Sequence, residues 1–279
     1  MTDPSPTAPL LADLPEESAT GVTAAFFARV RAESGSALIN FVWRHLATLP
    51  DGTADWCWDV VRNADVTPVA QALSLQADRA AAALAGPSPK LPTLEPQAAN
   101  ILAAYNRNNP MNLARMGLLL SALDSLDNAL SAPRSTDAPH SDGPHADAAL
   151  PPLPPFSALG ADDLRAVDAV SWVGPASASG VSPSLWRHLT VQAGLMPAIA
   201  APVAKAVSTA EFRAAHRALG DAASAPLRHF ETPVPPPDFD ADRVRTSVTS
   251  FAQRIAELTL AGRILANWTL PTPQESTYR

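Results

Sequence analysis

The chain has 279 residues, enough for one large domain or two ordinary ones, with 47% apolar residues for a core and 17% charged residues. The net charge is −7, and no dense basic stripe is present, which excludes a phosphate-tracking nucleic-acid surface. The lone cysteine, Cys57, excludes an internal disulfide, a paired-cysteine redox centre and a structural zinc site, as expected for a reducing cytoplasm.

Residues 1–18 carry prolines and polar residues and are expected to form a flexible arm. The start, Met1 to Pro6, has neither a basic nor an apolar signal region, so no signal peptide is expected. No apolar run reaches the roughly 18 residues of a membrane span. Helices are predicted over residues 22–33, ending before Gly35, and 39–47, ending before Pro50. Asp51-Gly52 marks a turn ahead of Trp56-Cys57-Trp58. Thr67-Pro68 opens a helix over 67–85, and Pro87, Pro89 and Pro92 follow as a connector. A helix from Pro96 to Arg107 is predicted to break at Asn108-Asn109-Pro110. A second, apolar helix then starts at Asn109, with Leu113, Met116, Leu119 and Leu120 on one side.

Residues 132–158 lose every helical period and are rich in Pro, Ser and Asp, the composition of a linker. Its two histidines, His140 and His145, suggest no more than adventitious metal binding. Beyond it, helices are predicted at 160–173, 184–190, 195–206 and 208–223. A short proline connector follows, Thr232 to Pro237. The last helix is marked by Val244, Val248, Phe251, Ile255 and Leu258, in steps of four and three.

Trp43-Arg44-His45-Leu46 recurs as Trp186-Arg187-His188-Leu189, each time on the second element after a break. Composition alone gives a second copy about one chance in a thousand. The expected architecture is therefore all-α: two similar helical repeats, 19–131 and 159–270, form an internal pseudo-dimer joined by the linker and followed by a tail, 271–279. A ligand site would lie at the seam between them. There His45 and His188 are either an acid/base pair or histidines bonded to backbone. Arg44 and Arg187 are either a carboxylate clamp or partners in salt bridges. Asn109 is either a plain helix cap or, at the positive end of a helix, a seat for an anion or a water.

Phe41 to Pro50 (FVWRHLATLP) and Tyr105 to Pro110 (YNRNNP), with the apolar helix after it, resemble segments of the group I (DL) 2-haloacid dehalogenases. The two-repeat layout, the linker and the length are similar too. The resemblance implies an all-helical pseudo-dimer that hydrolyses small 2-haloalkanoic acids between its repeats. An aspartate activates the attacking water, an asparagine helps hold it, and no cofactor or metal takes part. The asparagine falls on Asn109. The substrate-binding positions fall on Leu38, Phe41, Ser184, Phe251 and Ile255. The aspartate falls on Leu185, which cannot take a proton.

The expected function is thus a cofactor-independent dehalogenase-like protein with weak or lost activity, in which Leu185→Asp raises the rate. The alternative is a non-catalytic binder of small acids or a structural relative. His188 or His45 stands as the substitute base. Expected partners are a small carboxylic acid and, in the oligomer, a homodimer mate, with neither nucleic acid nor membrane.

Overall fold

The computed structural model describes residues 11–34, 39–62, 64–127, 150–224 and 232–269. Among these, all regular structure is helical. The helices are α1 (Gly21–Ser34), α2 (Phe41–Leu46), α3 (Thr53–Arg62), α4 (Thr67–Leu84), α5 (Pro96–Asp127), α6 (Ala161–Ser171), α7 (Ser184–His188), α8 (Leu195–Val207), α9 (Ala210–Ala223) and α10 (Ala241–Thr269). None is long and apolar enough to cross a membrane.

The two long helices α5 and α10 make the most extensive contact, and α4 and α9 each pack on both of them and on each other. The inward residues of α4, Ala70, Leu73, Ala77 and Ala81, step by three and four, so one mostly small-residue stripe meets the long helices. On α10 the predicted stripe is buried throughout. Small residues set the closest approaches. A Cβ at Gly117 of α5 would fall on the Ala223 carbonyl at the end of α9. A Cβ at Gly262 of α10 would fall on Asn106, whose Nδ2 donates to the Gly262 carbonyl at 3.2 Å.

Three expectations are corrected. The helix predicted to end at Arg107 does not break, since α5 runs from Pro96 to Asp127 with Pro110 inside it. Proline removes one N–H, so the Asn106 carbonyl four residues back loses its helical donor. The buried residues on both sides of Pro110, Ile101, Leu102 and Tyr105 before it and Leu113 and Met116 after it, hold one continuous helix nonetheless. Second, the turn at Asp51-Gly52 leads into a helix, α3, that was not predicted. It buries Trp56, Cys57, Trp58, Val60 and Val61, and the Trp58 ring meets Trp43 edge-on at 5.0 Å.

The third correction concerns segments read as loose. Residues 11–19 are anchored: Leu11 N–H donates to the Gly180 carbonyl at 3.0 Å, and the Ala12 carbonyl accepts from His45 at 2.9 Å. At the end of the predicted linker, residues 150–158 carry a 3₁₀ turn, Phe156–Ala158, and the Pro151 carbonyl accepts from His188 at 2.9 Å. Prolines rule out helix there but still present carbonyls, and buried imidazoles need such acceptors. Residues 132–149 of the linker, the 271–279 tail and Leu38 lie outside the described residues.

Candidate functional site

A cleft of about 480 Å³, counted out to its open mouth, lies where α2, α5, α10 and the 181–184 segment meet. Helical spacing builds two of its walls. Tyr105, Asn109 and Asn112 step by four and three along α5, and Phe251, Ile255 and Leu258 step by four and three along α10, with Arg254 beside them. The third wall is the start of α2, with Phe41 and Arg44, and the fourth runs through Val181, Pro183 and Ser184.

The apolar part is tightly built. The rings of Phe41 and Phe251 meet edge to face with centroids 5.1 Å apart, a favourable arrangement of ring quadrupoles. The polar part is unusual in what it lacks. Asn109, 5% exposed, has no partner for its Nδ2, Asn112, 2% exposed, has none for its Oδ1, and Arg254, 1% exposed, has none for its Nε. Buried polar atoms are ordinarily satisfied, and each one left unmade costs about 1–3 kcal/mol. Three such atoms, two donors and one acceptor, lie on side chains that line the one cleft.

The remaining atoms of Arg254 are committed. Its Nη1 pairs with Glu257 Oε1 at 2.5 Å, and its Nη2 donates to the carbonyls of Ser171 at 3.0 Å and Ala176 at 2.7 Å. Glu257 Oε2 accepts from the Ala176 N–H at 3.0 Å. Burial pushes the Glu257 carboxyl up and the Arg254 guanidinium down, and each charge opposes the shift of the other. Burial also raises the Tyr105 phenol far above its ordinary value, against the charges of Arg44 and Arg187 and a hydrogen bond with Ser184, so it stays protonated.

Of the residues expected at a site, Phe41, Asn109, Ser184, Phe251 and Ile255 converge on this cleft. Asn109 does so as a mid-helix side chain, because α5 has no end there for it to cap. Leu185 is off the cleft lining. It is fully buried, and its Cδ2 approaches Gly262 of α10. His45 and His188 are off the lining too. His45 donates from Nδ1 to the Ala12 carbonyl and accepts at Nε2 from the Ser247 hydroxyl, both at 2.9 Å. His188 donates from Nε2 to the Pro151 carbonyl, and its Nδ1 stands 3.5 Å from the Tyr105 hydroxyl. Burial lowers both imidazoles below their ordinary range. Both rings bond to backbone carbonyls, the second of the two alternatives open for them in the sequence, and burial favours their neutral form.

Tyr105, Asn112 and Arg254 escaped the sequence reading. Ending the helix at Arg107 hid the spacing of Tyr105, Asn109 and Asn112. Arg254 did leave a signal: a charge three residues after Phe251, on the apolar stripe of the last helix.

Among the described residues lining the cleft there is no carboxylate and no imidazole, and no cluster of metal-binding side chains occurs. The lining therefore offers an apolar wall, hydrogen-bond donors and positive charge, but no group able to draw a proton from a water at neutral pH. No family model matches the chain, and no curated protein matches it.

Proposed function

We propose that the cleft binds a small carboxylic acid and that the chain is a duplicated, non-hydrolytic relative of the group I 2-haloacid dehalogenases. The observation that carries this reading is the set of unpartnered buried atoms. Asn109 Nδ2 and Arg254 Nε are donors suited to a carboxylate, set against an apolar wall suited to a short alkyl chain. The same lining lacks a base, which agrees with the leucine at the position where the resemblance expects an aspartate.

Duplication is supported by repeated relationships. Among the described residues, five α-helices precede the linker and five follow it, each set having a short helix with the WRH residues second and its longest α-helix last. Each WRHL histidine donates to a carbonyl of the segment entering its own half. Each also meets a hydroxyl on the other half's long helix, Ser247 for His45 and Tyr105 for His188. From those hydroxyl residues the same steps of four and three lead to Asn109 and Asn112 on α5 and to Phe251 and Arg254 on α10. A two-fold relation between halves would produce this pattern.

Calorimetric titration with propionate and 2-chloropropionate, alongside a chloride-release assay, tests the reading. Both acids are expected to bind, and chloride release is expected to stay at the level of the enzyme-free control. Failure of both acids to bind overturns the binding reading, and sustained chloride release overturns the non-hydrolytic one.

A further inference from the structure

Two arginines stand on the walls of the cleft, Arg44 and Arg254. The charge of Arg254 is matched from within its own helix by Glu257. That of Arg44 is matched from outside, by Asp13 of the anchored 11–19 segment. Arg44 Nε meets Asp13 Oδ1 at 2.7 Å and Nη2 meets Oδ2 at 3.0 Å. This is the two-pronged grip an arginine gives to a carboxylate. The Arg44 side chain is 5% exposed and that of Asp13 29%, so the carboxylate reaches a buried cation from the solvent side.

Arg187, the arginine of the second WRHL, belongs to the same neighbourhood. It senses the charges of Arg44 and Asp13 and, more weakly, those of Tyr105 and Glu17. Its guanidinium lies over the Phe156 ring at 4.5 Å, its Nε is buried without a partner, and it makes no ion pair among the described residues. Asp13 grips Arg44 alone, and Arg187 has only the through-space charges of Asp13 and Glu17 to offset its own. A part-buried guanidinium without an ion-pair partner among the described residues favours a further anion.

We propose that Arg44 and Arg187 form a second acid-binding end of the cleft, that Asp13 stands there in the place of a ligand carboxylate, and that the ligand is a short dicarboxylate whose other carboxylate meets Asn109 and Arg254. The inference rests on the small-acid reading of the cleft and narrows its ligand class. It makes the 11–19 segment a built-in competitor. While Asp13 holds Arg44, only the fraction of molecules with Asp13 released is competent for the second carboxylate, and the apparent affinity is lowered by that fraction.

Succinate and butyrate have the same number of carbons and differ in carrying two carboxylates or one. Titration of both into the wild-type chain, Asp13→Asn, Asp13→Ser and the double variant Asp13→Asn with Arg187→Gln tests the proposal, with circular dichroism confirming the helical content of each. Asp13→Asn and Asp13→Ser are expected to tighten succinate about tenfold while leaving butyrate within about twofold, and Arg187→Gln is expected to remove most of the gain. Equal tightening of both acids would mean a general field effect and overturn the proposal, as would unchanged succinate binding. Butyrate binding with no selective response of succinate overturns the dicarboxylate class alone. Absence of binding by either acid to any variant overturns the small-acid reading along with it.

Discussion

The imidazole of His45 stands 2.9 Å from the hydroxyl of Ser247, joining α2 in the first half of the chain to α10 in the second. Nδ1 donates to the Ala12 carbonyl, and burial favours the neutral ring, in which Nε2 accepts from the Ser247 hydroxyl. The histidine that invited a catalytic reading is a fastener between the strap at residues 11–19, a short helix and a long one.

That arrangement fixes the sign of a pH effect. His45, His188 and His216 all have imidazoles lowered by burial, partly offset by the carbonyls of Ala12, Pro151 and Gln253. Nearby charges act too: Arg243 disfavours and Asp13 favours protonation of His45, Arg187 disfavours it at His188, and Arg254 and Arg217 disfavour it at His216. As the folded values lie below the unfolded ones, the unfolded chain takes up protons first. Stability is therefore full above about pH 6.5 and declines as pH falls toward the folded values. Calorimetric melting between pH 7.5 and 5 is expected to show Tm falling on the acid side, with a shallower fall in His45→Gln. A flat profile would mean that these rings are not held neutral.

Asn109→Leu separates a ligand-binding asparagine from a helix cap. A cap would lose about 1 kcal/mol. A buried amide whose Nδ2 has no partner loses little when replaced by an apolar group of similar size. Urea denaturation is expected to show unchanged or slightly raised stability, while propionate binding weakens about tenfold or more. A loss of stability equal to that of a cap, with binding intact, would refute the assignment.

Leu185→Asp, which the dehalogenase pattern suggests as a gain-of-function change, is now expected to fail. The side chain is fully buried and turned toward Gly262, away from the cleft lining. A carboxylate there has neither solvent nor a partner, and the cost runs to several kcal/mol or forces protonation. A large fall in Tm with no chloride release from 2-chloropropionate is expected. Measurable release would place the carboxylate in the cleft after all.

The Arg254–Glu257 pair ties α10 to the 171–176 turn and sits directly behind the cleft. Glu257→Gln leaves a buried guanidinium without its counter-charge, a change that costs about 3–5 kcal/mol in comparable sites. Gly174→Ala strikes the same contact from the other side, since it adds a Cβ 2.5 Å from Glu257 Oε2 at a backbone φ of +100°. Both variants are expected to lower the urea midpoint and weaken propionate binding together. Intact binding in a destabilised Glu257→Gln would show that Arg254 keeps its place without the pair.

Gly117→Ala tests the packing of the long helices. The added methyl group would collide with the Ala223 backbone carbonyl, which cannot swing aside as a side chain can. The α5–α9 contact must open, at an expected cost of about 1–3 kcal/mol in urea denaturation. A neutral result would mean that α9 is free to shift along α5.

Helical class, the last helix with its buried stripe, and the recurrence of WRHL were all legible in the sequence. Those features follow from local propensity and a 3.6-residue period, which every residue carries with it. The resemblance to the dehalogenases, not periodicity, brought Phe41, Asn109, Ser184, Phe251 and Ile255 together, and all five line the cleft. What only the tertiary structure decided was direction and company. Pro110 breaks a helix by local rules, yet packing on both sides carries α5 through it and turns Asn109 from a helix end into a cleft wall. Leu185 and Ser184 are neighbours in the chain, but the turn of α7 sends one into the core and leaves the other on the cleft. The partners of His45, Arg44 and Arg254 are carbonyls, a hydroxyl and carboxylates, mostly from distant segments. No periodicity encodes such pairings, because they arise where buried polar groups must find whatever acceptor the packed chain brings within reach.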